Sequence, residues 1–243
     1  MAASAEKHNL KEGKMKAVIA GTGVDEVLSS FEENMEDTYY GYVTYYRKDD
    51  VIIIPRHRKN HTDSPSMVNY KANISALVSL GCSEVIGIYA VGSITDKLPP
   101  SSFALVGDFM DFSGRSISFF NGEENPLKHT CMDNVFDSEL NRKIKEAAGC
   151  ELADDIVYVM TNGPRLETAG EIRAFCRLGA DVVGMTLATE ASLLKELGLR
   201  YSALAYSINW AQGVRGGEMS FITSSDTSKL CRHILDTALR ALS

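Results

Sequence analysis

The chain has 243 residues, 44% of them apolar and 23% charged, and a formal net charge of −7. That length and balance fit one large α/β domain with a sizeable core, and the acidic charge gives no basic field for gripping a nucleic acid, so any anion site has to be local. Five scattered cysteines with no CxxC pair suit buried, reduced thiols in a cytoplasmic protein rather than a disulfide framework or a zinc site, and no apolar stretch approaches the roughly 20 residues of a membrane span.

The opening MAASAEKHNLKEGK lacks the apolar segment of a signal peptide and reads as a mobile polar extension, residues 1–14, ahead of a domain over 15–243. Order begins at MKAVIAGTG, a short apolar strand running into Gly21-Thr22-Gly23. YYGYVTYYRKDDVIIIPR follows, two β-rich runs about a polar KDD turn, which predicts an antiparallel hairpin. A cadence then sets in. Helical ISALVSLG precedes the buried-looking CSEVIGIYA, EIRAFCRLG precedes ADVVGM, and ASLLKELG precedes LRYSALAYSI; SELNRKIKEAAG before DDIVYVM has the same form. Each closing glycine suits a left-handed helix cap, and each apolar run suits a strand covered on both faces. Alternation of this kind predicts an α/β three-layer sandwich, a single domain whose mixed, mostly parallel sheet is flanked by helices.

Ligands of open α/β sheets bind outside the carboxyl ends of the strands. Those ends carry Gly21-Thr22-Gly23, Arg56-His57, Ala90-Val91-Gly92-Ser93, the segment Asn162 to Glu167, Met185-Thr186 and Asn209. Thr22 and Thr186 offer hydroxyls, Arg56 a planar fork of donors, His57 a ring donor, and the small residues about Ala90 let backbone amides approach an anion. Together they could hold a phosphate, although GTG alone is commonly a turn and Arg56-His57 alone could be a surface pair beside Arg58 and Lys59.

In ordered succession the segments AGTGVDE, RHRKNHTDSPSMVNYKANISAL, YAVGSI, FFNG, NGPRLETAGEIRAF and GADVVGMTLATEASLLKELGLRYSALAYSINWAQG resemble the trimeric branch of the purine nucleoside phosphorylase superfamily, particularly its methylthioadenosine and methylthioinosine phosphorylases. The resemblance runs from about Met15 to the C-terminal helix. It implies phosphorolysis of a purine ribonucleoside to free base and ribose 1-phosphate, with phosphate as co-substrate, no metal or organic cofactor, and a homotrimer or hexamer. Carried over, it assigns phosphate to Thr22, Arg56 (as a bidentate grip), His57, the backbone at Ala90, and Thr186; the ribose to Met185; and the base to Leu166, Glu167 and Asn209, with Asn209 and His57 as the catalytic pair. His61 and His129 match positions lining the 5′ end of the nucleoside, His129 reaching from a neighbouring subunit.

An amide at Asn209 can donate to N7 and meet a 6-oxo group, whereas the aspartate typical of methylthioadenosine phosphorylases suits a 6-amino group. The second aspartate of that pattern is replaced by Ala211, and Glu167 can accept from the N1–H that a 6-oxopurine has and adenine lacks. The preferred substrates are therefore inosine, guanosine or methylthioinosine. A methylthioadenosine phosphorylase is the alternative; a nucleoside hydrolase and a non-catalytic nucleoside-binding protein stand further off. Plainer roles exist as well: Asn209 as a turn cap, and Glu167 and Glu190 as helix acids facing the macrodipole. Arg58 stands where relatives commonly have glycine, and Thr189 where they commonly have proline.

Overall fold

The computed structural model describes residues 15–243, which form nine strands, six α-helices and one short 3-10 helix, Lys59–His61. The strands are β1 (Met15–Ala20), β2 (Glu32–Thr38), β3 (Gly41–Lys48), β4 (Val51–Pro55), β5 (Cys82–Ser93), β6 (Phe103–Asp111), β7 (Ile156–Met160), β8 (Val182–Gly184) and β9 (Arg200–Trp210). The helices are α1 (Asp25–Leu28), α2 (Tyr70–Ser79), α3 (Ser138–Ala148), α4 (Ala169–Leu178), α5 (Leu187–Glu196) and α6 (Ser224–Leu242). The proposed extension, residues 1–14, lies outside the described residues.

All strands join one mixed sheet in the order β2-β3-β4-β1-β5-β8-β7-β6-β9, and β9 returns to pair with β5. The sheet expected to be open thus closes on itself over five strands, β5, β8, β7, β6 and β9, with β1 to β4 as a side wing. The hairpin is present as β3 and β4, antiparallel about Asp49-Asp50. Alternate residues face opposite layers. Ala17 and Ile19 of β1, with Tyr89 of β5, enter the core under α2 and α5; Val18 and Ala20, with Ile86 and Ile88, enter the core under α3 and α6. Ile172 and Phe175 of α4 cover Val159 and Val183 in a third cluster.

The glycines that close the four helical segments, Gly81, Gly149, Gly179 and Gly198, all have positive φ, from 66° to 96°. Two strands are not foreshadowed by the sequence cadence. β2, EENMEDT, has no apolar alternation and is held by its register with β3, from Glu32↔Arg47 to Thr38↔Gly41. β6, FALVGDFMD, is interrupted by a register shift at Gly107, where a side chain would stand 2.7 Å from the Asp154 carbonyl. None of the five cysteines is in a disulfide; Cys82 and Cys231 are buried as expected of structural thiols, but Cys131, Cys150 and Cys176 are exposed. Among the described residues no helix is long and apolar enough to cross a membrane.

Candidate active site

One cavity of about 230 Å³ lies at the ends of β1, β4, β8 and β9. Thr22, Arg56, His57, His61, Ala90, Leu166, Glu167, Met185, Thr186 and Asn209 all line it. These residues span almost 190 positions of sequence, and only the sheet brings them together. His129 is exposed and is not part of this chain's cavity wall.

The first wall of the cavity is built from β1 and β4. Arg56 follows Pro55 at the end of β4, and its backbone N–H bonds the Ala20 carbonyl of β1 at 2.8 Å. Its side chain is not the free fork expected of a bidentate phosphate grip. Nε donates to Glu190 Oε1 at 2.5 Å, Nη2 to Glu190 Oε2 at 3.0 Å and to the Ile19 carbonyl at 3.4 Å, and Nη1 to the Ile88 carbonyl at 3.0 Å. A guanidinium has five N–H groups, so one N–H of Nη1 remains. It lies beside Gly21, where a β-carbon would come within 2.8 Å of Nη1, so only glycine leaves that approach open. The two charged side chains are 2% and 1% exposed. Burial alone would disfavour the Arg56 cation, but the Glu190 carboxylate outweighs it and holds the guanidinium pKa above its ordinary value. Tyr89 completes the group, its ring 4.3 Å from the guanidinium and its hydroxyl donating to Glu190 Oε2 at 2.6 Å.

His57 is also buried, with Nδ1 2.8 Å from the Asp63 carbonyl. A carbonyl only accepts, so Nδ1 carries the proton and Nε2 is left with a lone pair in the neutral ring. Burial, the Arg56 cation and His61 push the His57 pKa down to about 3, so the ring is neutral at physiological pH. The expectation of His57 as a donor is therefore corrected: toward the cavity it accepts. The His61 ring stacks on it with centroids 4.2 Å apart.

Opposite, Thr186 is the N-cap of α5 but makes no side-chain capping bond, and its backbone N–H meets the Tyr158 hydroxyl at 3.5 Å. The first-turn amides of α5 thus begin at the cavity, an arrangement that favours an anion. Met185, one residue earlier, has its carbonyl held by Arg115 Nη1 at 3.1 Å, and Arg115 also binds Asn162 and the Tyr70 hydroxyl.

The remaining wall comes from the start of α4 and the end of β9. Glu167 is 9% exposed and accepts from Thr161 Oγ1 at 2.5 Å. The helix-acid role belongs to Glu171 instead: it closes a capping box with Thr168, which frees Glu167 from that duty. Leu166 beside it is 45% exposed. In β9 the register with β5 slips by one residue, from Val91↔Ser207 to Gly92↔Asn209. This bulge at Ile208 turns the strand and re-aims Asn209 into the cavity. The Asn209 amide nitrogen donates to the Trp210 carbonyl at 2.8 Å and meets Met219 Sδ at 3.4 Å. The first contact fits the turn-holding role; the second places a weak acceptor, a thioether, over the other N–H. Ala211, Met219 and Phe221 also line the cavity, brought back by a bridge between Asn209 and Phe221.

Sequence reasoning missed Tyr89, Glu190 as the partner of Arg56, Arg115 and Met219. Tyr89 and Glu190 lie 33 and 134 positions from Arg56 and gave no local signal.

Comparison with known proteins shows the family of the chain. The phosphorylase superfamily model matches residues 15–242. A probable 6-oxopurine nucleoside phosphorylase of Moorella thermoacetica is 37% identical over 214 residues, covering 84% of this chain and 82% of its own. A probable S-methyl-5′-thioinosine phosphorylase of Thermodesulfovibrio yellowstonii is 34% identical, with 85% and 81% covered. Among solved structures, the apo form of methylthioadenosine phosphorylase from Schistosoma mansoni superposes with a TM-score of 0.83 at 27% identity, covering 94% of this chain and 90% of that one. The chain belongs to the phosphorylase superfamily.

Proposed function

We propose that the protein is a pentosyltransferase that cleaves 6-oxopurine ribonucleosides with inorganic phosphate, giving free base and ribose 1-phosphate, or 5-methylthioribose 1-phosphate where the 5′ group is methylthio. The observation that carries this reading is the convergence, on one cavity, of Thr22, Arg56, His57 and Thr186 on one side and of Glu167 and Asn209 on the other.

Phosphate binds against the Arg56 Nη1–H, the Thr22 and Thr186 hydroxyls, the backbone about Ala90 and the first turn of α5. Its oxygen attacks the anomeric carbon as the bond to N9 breaks, so positive charge on the sugar forms next to the anion and negative charge leaves with the purine. Asn209 redirects the hydrogen bond of one N–H from the Met219 sulfur to N7 and keeps its proton, an exchange that forfeits only a weak bond and stabilises the departing base, which takes its proton from solvent. Glu167 accepts from N1–H through the oxygen that Thr161 does not hold. Met185 packs on the ribose and Leu166 on the base; His61 lies toward the 5′ end. No metal or organic cofactor takes part. The protein works in the cytoplasm in purine salvage as a trimer or hexamer, and the exposed His129 reaches a neighbouring copy's pocket. The names of the bacterial relatives support the 6-oxo preference, as do Glu167 and the apolar Ala211.

The test is a panel of inosine, guanosine, adenosine and their methylthio analogues, with and without phosphate. Cleavage of 6-oxo nucleosides that stops when phosphate is withheld supports the reading; equal cleavage without phosphate makes the protein a hydrolase, and no cleavage at all leaves a binding protein.

A further inference from the structure

The cavity wall is not a uniform set of donors. Arg56 Nη1 and the Cδ2–Nε2 edge of His57 flank the same point, 2.8 Å for Nη1, 3.3 Å for Cδ2 and 3.5 Å for Nε2 from where a β-carbon on Gly21 would stand. One tetrahedral anion seated there can touch both. Arg56 can only donate, whereas His57, with Nδ1–H committed to the Asp63 carbonyl, can only accept through Nε2. Asp63 is itself fixed for this role, since its backbone N–H returns to the His57 carbonyl at 3.1 Å and its carboxylate holds Arg58 Nε at 3.0 Å. The ring therefore cannot exchange tautomers without breaking that small closed loop. His61 stacked on one face further restricts rotation.

We propose that His57 makes the site selective for a tetrahedral oxyanion that still carries a hydrogen, accepting the hydrogen bond of its P–OH group and so discriminating phosphate from sulfate. This rests on the phosphorylase reading and deepens it by naming the ionic species the site takes. The two anions are alike in size and shape, and in mildly alkaline solution both are dianions. They differ in that HPO₄²⁻ keeps one hydrogen and SO₄²⁻ keeps none. Sulfate in this position sets an oxygen lone pair against the Nε2 lone pair and leaves a buried acceptor unsatisfied. Leaving such a group unpaired costs enough to weaken binding by about ten- to a hundredfold. Arsenate, which also keeps a hydrogen, belongs with phosphate; selenate belongs with sulfate.

The experiment is a titration of the full chain with phosphate, arsenate, sulfate and selenate in mildly alkaline buffer, followed by thermal shift or calorimetry, alongside inosine cleavage with phosphate. Phosphate and arsenate are expected to bind at least about tenfold more tightly than sulfate and selenate. In His57→Gln the side-chain amide can turn an N–H toward the anion, and the phosphate-to-sulfate ratio should fall by about fivefold or more. A merely structural role for His57 would weaken all four anions together and leave the ratio unchanged, which would overturn the proposal. So would sulfate binding as tightly as phosphate in the parent protein while phosphate is consumed with inosine, an outcome that leaves the phosphorylase reading standing. Absence of any phosphate binding or consumption would overturn both.

Discussion

Replacing Glu190 by Gln removes one charge from a pair that is 2% and 1% exposed, and so leaves the Arg56 guanidinium buried with no counter-charge. The new amide keeps one oxygen to accept from Nε but turns a donor toward Nη2 or the Tyr89 hydroxyl, both of which now donate to Glu190. Breaking a buried pair from one side costs about 3 to 5 kcal/mol. For a domain of this length each kcal/mol lowers the melting temperature by about 2 to 4 °C, so a fall of roughly 6 to 20 °C is expected. Phosphate should recover part of this, because an anion near Nη1 restores some of the lost charge balance and binds only the folded state. The assay is thermal denaturation of Glu190→Gln and parent, each with and without saturating phosphate. A variant melting within about 2 °C of the parent would show that Glu190 does not neutralise Arg56, and the donor count at Nη1 would have to be redrawn.

Stability should also depend on His57. Its folded pKa, about 3, lies below the ordinary value of 6.5, so its contribution is complete above pH 6.5 and is lost as pH falls from there toward 3. Unfolding free energy at pH 7.5 and 5.5 should therefore drop by about 1 kcal/mol more in the parent than in His57→Gln, and equal slopes would contradict a buried neutral ring. Arg58 has φ 59° and ψ 173°, a region almost reserved for glycine, and its side chain is 69% exposed in the pair with Asp63. Arg58→Gly should be more stable than Arg58→Ala by about 1 kcal/mol in urea denaturation, because both lose the ion pair and only glycine relieves the backbone; an alanine variant at least as stable would refute the strain. Asn209→Asp places a carboxylate against the Trp210 carbonyl and near the 6-substituent of the base, so efficiency on inosine should fall by about five- to 150-fold and that on adenosine by less. An unchanged inosine-to-adenosine ratio would remove Asn209 from base recognition.

The sequence was most informative where the signal is local. Each Leu-Gly stop marks a helix end, and the short motifs after β1, β4, β8 and β9 mark the cavity, because chain reversal and strand termination are decided within a few residues. β2 was not legible, since an acid-rich edge strand is defined by the neighbour it pairs with rather than by its own pattern. The closure of the sheet depends on β6, whose run is broken by Gly107 and completed by pairing with β7 and β9. The Arg56–Glu190 pair joins residues 134 positions apart, and it changes the reading of Arg56 from a free fork to a guanidinium with one N–H to spare. The tautomer of His57 likewise follows from a carbonyl six residues on, which composition and spacing do not reveal.

Transfer of a pentosyl group to phosphate in this cavity can be read by following phosphorus. Inosine and inorganic phosphate are incubated with the protein and the phosphorus NMR spectrum is recorded as hypoxanthine is released. A single new ribose 1-phosphate resonance is expected to grow in step with hypoxanthine while inorganic phosphate declines by the same amount. Hypoxanthine released with the phosphate signal unchanged would contradict it.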